Sequence, residues 1–147
     1  MVSIEAQAAE FDRVFTTKAA GGCRYYTAND AAATTVVLLP GGLGIGISWV
    51  RLALALVPTY RVLTVDYPPS AKTFADLVDQ VLGVLDAEGL RTVHVVGQSA
   101  GGMLAEALAQ RAPERVASIV FTGSGLYGPE DVERLRGKLA GVRQTPW

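Results

Sequence analysis

The residues most suited to chemistry lie in the segment VVGQSAGGMLAEAL (95–108), where a serine stands between two glycines. Gly97-x-Ser99-x-Gly101 follows a β-branched apolar run and precedes an amphipathic one. A serine at a sharp turn from a strand into a helix exposes its hydroxyl at the helix N-terminus, where backbone N–H groups favour a developing anion. The pattern therefore predicts that Ser99 is a nucleophile attacking a carbonyl carbon.

The residues around Ser99 fit such a turn. A strained backbone at Ser99 would collide with bulky neighbours, and Gly97 and Gly101 relieve that crowding. Gly102 is expected to let the following helix lie close to the sheet. Gln98, directly before the serine, is expected to shape the pocket rather than to react.

A second glycine-rich loop, Pro40-Gly41-Gly42-Leu43-Gly44, follows the apolar run TTVVLLP (34–40). Its position predicts that it lies at the carboxyl edge of the sheet, where ligands bind in open α/β sheets. There its backbone would supply an oxyanion donor beside the N–H of Ala100. The alternative is an ordinary glycine-rich turn.

The elements that must position these loops alternate between strand and helix. Short runs apolar on both faces predict strands in a sheet covered on both sides, which implies parallel pairing. These runs are TTVVLLP (34–40), RVLTVDY (61–67), TVHVVG (92–97) and ASIVFTG (117–123).

The segments between the strands have the helical period. In residues 72–90 the apolar positions share one face, and Thr73 with Asp76 resembles a capping box. A shorter helix is predicted from Ser48 to before Pro58, and the helix after Ser99 is predicted to stop at Pro113.

This order predicts an α/β fold with three layers and a doubly wound, mostly parallel sheet, in a single domain over 1–147. Upstream, RVFTTKAAG (13–21) and CRYYTAND (23–30) predict an antiparallel hairpin at one edge. The polar segment 128–147 is expected to be the start of a cap or a tail.

Three segments together resemble the α/β-hydrolase superfamily: LLPGGLG (38–44), VDYPPS (65–70) and GQSAGGM (97–103). The resemblance runs from about Arg13 to Gly128. It implies Ser99 as the nucleophile, and Gly42 or Leu43 together with Ala100 as the oxyanion donors. It also implies a small-molecule substrate with a carboxylic ester or amide bond. Pro40 stands where histidine is common in the family.

The catalytic acid and histidine of this family follow the nucleophile in sequence. Here the only histidine is His94, which precedes Ser99 by about 16 Å of extended strand and is expected to be a buried structural residue. Glu130 and Asp131 are expected to form a solvated helix start. The chain is thus expected to be a truncated, incomplete hydrolase core that is inactive alone.

Two alternatives remain open for such a chain: a non-catalytic binding or interaction module, or one half of a two-chain hydrolase. Because the 117–123 strand would be an open apolar edge, a partner chain or a homodimer is expected to cover it.

A dinucleotide-binding domain is a further alternative. Gly42, Gly44 and Gly46 follow a strand, and Asp66 ends the next one. However, the third glycine of G-x-G-x-x-G would fall at Ile47, so the pattern fails.

Composition excludes several other classes. The formal charge of −1 shows no excess of basic residues, which nucleic-acid binding would require. The uncharged stretch from Ala31 to Val50 is interrupted by Pro40 and the glycines after it, which argues against a membrane span.

The N-terminus lacks the pattern of a signal peptide, and Cys23 has no disulfide partner, so a cytoplasmic location is predicted. No metal or organic cofactor is expected, because there is neither a ligand cluster nor a phosphate loop.

Overall fold

The computed structural model describes residues 3–124, 128–131, 133, 134 and 137. The segment 128–147, expected to begin a cap or tail, lies largely outside these residues. The helices and strands are α1 (Ile4–Val14), β1 (Thr16–Ala20), β2 (Cys23–Ala28), β3 (Thr35–Leu39), α2 (Val50–Leu56), β4 (Arg61–Asp66), α3 (Phe74–Ala87), β5 (Val93–Gln98), α4 (Ala100–Arg111) and β6 (Val116–Thr122). Short 3₁₀ turns at Gly46–Trp49 and Pro113–Arg115 precede α2 and β6.

The described strands form one sheet in the order β1-β2-β4-β3-β5-β6. β3 pairs in parallel with β4 and β5, and β5 pairs in parallel with β6. β1 and β2 form an antiparallel hairpin that joins β4 at the other side. The predicted mostly parallel sheet and the edge hairpin are confirmed. Because β3 is central, the loop at its carboxyl end lies between the ends of β4 and β5.

Helices cover both faces of the sheet, as a doubly wound fold requires. α3 and α4 pack on one face over a core that includes Leu63, Leu85 and Leu104. α1 and α2 pack on the other, where Phe11 stacks on Phe15 at a centroid distance of 4.2 Å.

Local signals explain where most helices begin and end. α3 starts with the predicted capping box, in which Thr73 Oγ1 accepts from the Asp76 N–H and Asp76 accepts from the Thr73 N–H. α4 ends before Pro113, as predicted. α1 was not predicted, although Ser3 caps it by accepting from the Ala6 N–H at 3.2 Å.

The expectation that every strand is buried on both faces is wrong for two of them. β3 and β4 are buried along almost their whole length, whereas β5 alternates between buried and more exposed residues and β6 consists of half-buried and exposed residues only. His94 is exposed and not buried as expected, because α1 and α2 pack mainly over β3 and β4 on this face and leave the beginning of β5 uncovered. The Nδ1 atom of His94 lies 2.7 Å from Ser118 Oγ. His94 and Ser118 both line an open apolar groove of about 540 Å³.

β6 is the outer strand of the described sheet, so the predicted 117–123 edge is present. Val120 is 56% exposed on it.

The uncharged stretch from Ala31 to Val50 contains β3 followed by a glycine-rich loop. None of the helices in the described residues has the length and apolar character that a membrane crossing requires.

Candidate active site

Ser99 occupies the single residue between β5 and α4. Its backbone has φ 50 and ψ −117, a conformation that non-glycine residues rarely adopt. The turn is held because the Ser99 N–H donates to the Thr122 carbonyl at 3.1 Å, and the Ser99 carbonyl accepts from the Gly102 N–H at 2.9 Å. The strained turn that the sequence predicts is therefore present, and Ser99 is exposed at its apex.

The glycines beside Ser99 allow main chains to approach closely. A methyl group built on Gly101 would lie 2.5 Å from the Pro40 carbonyl oxygen, and one on Gly97 would lie 2.7 Å from Gly102 Cα. One on Gly102 would lie 3.1 Å from the Phe121 ring. Real Cβ atoms do not make backbone contacts as short as those at Gly97 and Gly101, so α4 can lie this close to the sheet only with glycine at these two positions.

The segment Pro40–Gly46, called the glycine loop below, runs beside the serine. A methyl group built on Gly41 would lie 3.6 Å from Ser99 Cβ. Gly42 and Leu43 follow at the exposed tip, and the Leu43 side chain is 83% exposed. Neither of their N–H groups donates a hydrogen bond to a described residue, and the same holds for Ala100.

Free N–H groups at the first turn of a helix carry part of the positive end of the helix dipole. The Ala100 N–H is such a group. The site thus brings together an exposed hydroxyl at Ser99, a free N–H at Ala100 and a loop with free N–H groups at Gly42 and Leu43. This arrangement can stabilise an oxyanion formed by addition of the serine to a carbonyl.

Asp66 and Tyr67 contact the glycine loop, and sequence reasoning did not place either in the site. The Gly46 N–H donates to Asp66 Oδ1 at 2.7 Å. The Tyr67 hydroxyl donates to the Pro40 carbonyl at 2.7 Å. The sequence signal for them was their place in VDYPPS (65–70), one of the three segments on which the resemblance rests, but that signal gave neither residue a role.

His94 is not brought to Ser99. It pairs with Val36 and Ser118 near the beginning of β5, whereas Ser99 follows the end of that strand.

Asp131 is engaged in its own turn, where it accepts from the Gly128 N–H at 3.0 Å and lies 3.6 Å from Arg134.

A groove of about 440 Å³ borders the residue before the serine. Gln98 lies on it together with Ile47, Trp49 and Leu52. Its lining combines these apolar side chains with polar ones, among them Gln7 and Arg51, and Ser99 itself is not part of it.

Residues 34–145 match the model of the alpha/beta hydrolase fold family. The chain belongs to this family. The resemblance seen in the loops around residues 40, 66 and 99 is thereby confirmed for most of the chain.

Individual proteins share the sequence or the fold. The 2-hydroxy-6-oxononadienedioate/2-hydroxy-6-oxononatrienedioate hydrolase of Paraburkholderia phymatum is 36% identical over 118 residues, which are 71% of this chain and 41% of that protein. The epoxide hydrolase VrEH1 from Vigna radiata superposes with a TM-score of 0.69 at 22% identity, covering 84% of this chain and 45% of the other.

A serine hydrolase, CCSP0084, from the bacterium Cycloclasticus zankles superposes with a TM-score of 0.65 at 26% identity, covering 78% of this chain and 47% of the other. The chain thus spans less than half the length of each of these proteins.

Proposed function

We propose that this chain carries the nucleophile and the oxyanion donors of a serine hydrolase that cleaves a carboxylic ester or amide. Ser99 Oγ attacks the carbonyl carbon as its proton passes to a general base, and the carbonyl oxygen takes the negative charge. The C–O or C–N bond then breaks, the alcohol or amine leaves with that proton, and water releases the acyl group from Ser99 as a carboxylic acid. The N–H of Ala100 and that of Gly42 or Leu43 stabilise this oxyanion. The observation that carries the proposal is the strained backbone of Ser99, because strained backbone conformations cluster at active sites and ligand-binding sites.

The proposed reaction also needs a general base, since a serine hydroxyl is a poor nucleophile at neutral pH. His94 is the only histidine of the 147 residues. Its position in β5, about 16 Å back along the strand from Ser99, excludes it as the base. A histidine base would therefore have to come from another chain, and without it we expect the isolated chain to have little or no turnover.

The relatives support a small organic substrate. The Paraburkholderia relative is named a hydrolase of a dienedioate. The groove beside Gln98 has apolar walls at Ile47, Trp49 and Leu52, which suit the carbon chain of such a molecule. A cytoplasmic location goes with the proposal, because a fold with Cys23 as its single cysteine needs no disulfide.

A non-catalytic binding module is the second candidate. The observation that favours it is the place of His94, whose partner is Ser118 and not Ser99. In that case the groove beside Gln98 binds a small molecule without converting it.

Labelling with a fluorophosphonate, followed by mass spectrometry to locate the adduct, separates the two candidates. We expect slow labelling of Ser99 that accelerates with added imidazole, which substitutes for the missing base. Ser99→Ala is the control and should remain unlabelled. A folded chain that stays unlabelled at Ser99 even with imidazole would contradict the hydrolase proposal and favour the binding module.

We also propose that a second copy of this chain pairs with the edge strand β6. The segment Val116–Thr122 contains no charged residue and no proline, the features by which edge strands usually avoid pairing. The net charge of −1 sets up little repulsion between two copies. Two β6 strands can pair antiparallel about a twofold axis and continue the sheet.

Sedimentation velocity tests this pairing. We expect a dimer for the wild type and a monomer for Val120→Lys, because Val120 is 56% exposed on the edge strand. Met103→Lys, which changes a 38% exposed residue of α4, is the matched control and should stay dimeric. A folded wild-type monomer would overturn the pairing, and a complex only with a different protein would replace the second copy by another partner chain.

A further inference from the structure

Two consecutive residues at the end of β4 hold the glycine loop at three points. The Gly46 N–H donates to Asp66 Oδ1 at 2.7 Å. The Tyr67 N–H donates to the Gly44 carbonyl at 2.8 Å, and the Tyr67 hydroxyl donates to the Pro40 carbonyl at 2.7 Å. The beginning, the middle and the end of the loop are therefore each tied to the same neighbouring strand.

The Asp66 carboxylate is itself held in place by β2. Its Oδ2 accepts from Arg24 Nε at 2.7 Å and from the Tyr26 hydroxyl at 2.9 Å. These contacts engage one carboxylate oxygen and leave Oδ1 directed to the Gly46 N–H. Since the Asp66 side chain is only 14% exposed, water competes little for these hydrogen bonds.

Tyr67 also packs directly against the loop. Gly44 has φ +64, and a methyl group built on it would lie 3.0 Å from Tyr67 Cδ2. Burial raises the pKa of Tyr67 well above its ordinary value, so its hydroxyl stays protonated and remains a donor to Pro40. Tyr67 thus contacts the loop with its ring at Gly44 and with its hydroxyl at Pro40.

The tied points enclose the two residues whose N–H groups are free. Gly42 and Leu43 lie between Pro40 and Gly44, and the adjoining Gly41 lies next to Ser99. We infer that Asp66 and Tyr67 are positioning residues, which fix the glycine loop so that the Gly42 and Leu43 N–H groups face the carbonyl attacked by Ser99. This inference rests on the proposed function for its catalytic meaning, whereas the fixing of the loop stands on the hydrogen bonds alone.

Amide hydrogen exchange of the full chain, read by NMR, tests the fixing of the loop. In Tyr67→Phe we expect exchange at the Gly44 and Gly46 N–H groups to rise about fivefold, the effect of losing one hydrogen bond. Asp66→Ala should raise exchange at Gly46 by a similar factor, because this N–H then loses its acceptor. Tyr25→Phe is the matched control, since the Tyr25 hydroxyl binds Glu88 and not the loop.

The rate of fluorophosphonate labelling of Ser99, with imidazole present, is the second measurement. We expect it to fall about tenfold in Tyr67→Phe, the size of effect that a small misplacement of a catalytic group causes. It should stay within about twofold of wild type in Tyr25→Phe, which also loses a tyrosine hydroxyl hydrogen bond, but one to Glu88 and not to the loop.

The two measurements separate the possible failures. Unchanged exchange at Gly44 and Gly46 in Tyr67→Phe and Asp66→Ala would overturn the fixing of the loop, whatever the labelling shows. Raised exchange with unchanged labelling would overturn the link between the loop and Ser99. A wild-type chain that is never labelled would overturn the proposed function, and exchange would still decide whether Asp66 and Tyr67 hold the loop.

Discussion

His94 Nδ1 lies 2.7 Å from the hydroxyl of Ser118 on the neighbouring strand. The two residues are cross-strand partners in the parallel pairing of β5 with β6. Both are exposed on the same open part of the sheet. The histidine is thus engaged with a serine, but at the opposite end of β5 from Ser99.

This pairing predicts that His94→Ala leaves the rate of fluorophosphonate labelling at Ser99 within about twofold of wild type, because an exposed residue away from the site has only a small effect on it. Ser118→Ala should behave in the same way and serves as the matched variant. A folded His94→Ala chain that lost labelling would show that His94 does act on Ser99.

Gly101→Ala should lower the free energy of unfolding by about 2 kcal/mol, the usual cost of an added methyl group in a closely packed place. The methyl group would lie 2.5 Å from the Pro40 carbonyl oxygen, so α4 or the end of β3 must move. Urea denaturation measures the change. Gly42→Ala is the control: nothing lies within 4 Å of its new methyl group, and its stability should stay within about 0.5 kcal/mol of wild type. Equal losses in both variants would contradict the packing argument.

The buried Glu88 carboxylate contributes stability that depends on pH. Burial alone would raise the pKa of Glu88, but the hydrogen bonds from Tyr25 and Lys18 and the nearby charge of Arg61 lower it below its ordinary value of 4.5. The unfolded chain then binds more protons in this range, so stability is full above pH 4.5 and falls as the pH drops through the folded pKa.

Glu88→Gln should therefore lower the free energy of unfolding by about 2 kcal/mol at pH 7, since it removes one of the two carboxylates that pair with the buried Arg61 guanidinium and leaves only Asp30, at 3.2 Å. The difference from wild type should shrink as the pH falls below 4.5. Denaturant unfolding at several pH values measures both effects. Glu10→Gln, which breaks an exposed pair with Arg13, is the control and should cause no resolved change. A difference that stayed constant down to low pH would refute the titration of Glu88 as its cause.

The Cys23 thiol should react only in the unfolded chain. Burial, with the nearby charge of Asp66, raises the pKa of this thiol from 9.0 to about 11. At pH 8 the thiolate fraction is then on the order of a hundredfold below that of a free cysteine. Reaction with a chromogenic disulfide reagent, with and without urea, measures the difference. Rapid reaction of the native chain would show that the β1–β2 hairpin opens.

Much of the fold could be predicted because its signals are local. The capping box of Thr73 and Asp76 predicts the start of α3, and Pro113 predicts the end of α4. The glycines at 97 and 101 predict the turn at Ser99. The burial of His94 was predicted wrongly because an apolar run does not say how many faces of its strand are covered. That depends on which helices lie nearby, and α1 and α2 leave the beginning of β5 uncovered.

The support for the candidate site was harder to predict. Asp66 and Tyr67 bind main-chain groups of the glycine loop. Every residue has such groups, so the residue types of the loop do not indicate that these hydrogen bonds form. α1 was missed for another reason. Its cap at Ser3 is a short signal, and Phe11 is its only fully buried residue.

The strand order also bears on how the molecule folds as it is synthesised. The β1–β2 hairpin closes through the two-residue turn at Gly21 and Gly22, so a nascent chain can complete it early. β3 meets β5 only after α2, β4 and α3 have been made, since Val36 pairs with His94. Ser99 can therefore acquire its neighbours Gly41 and Thr122 only after β3, β5 and β6 have all been made.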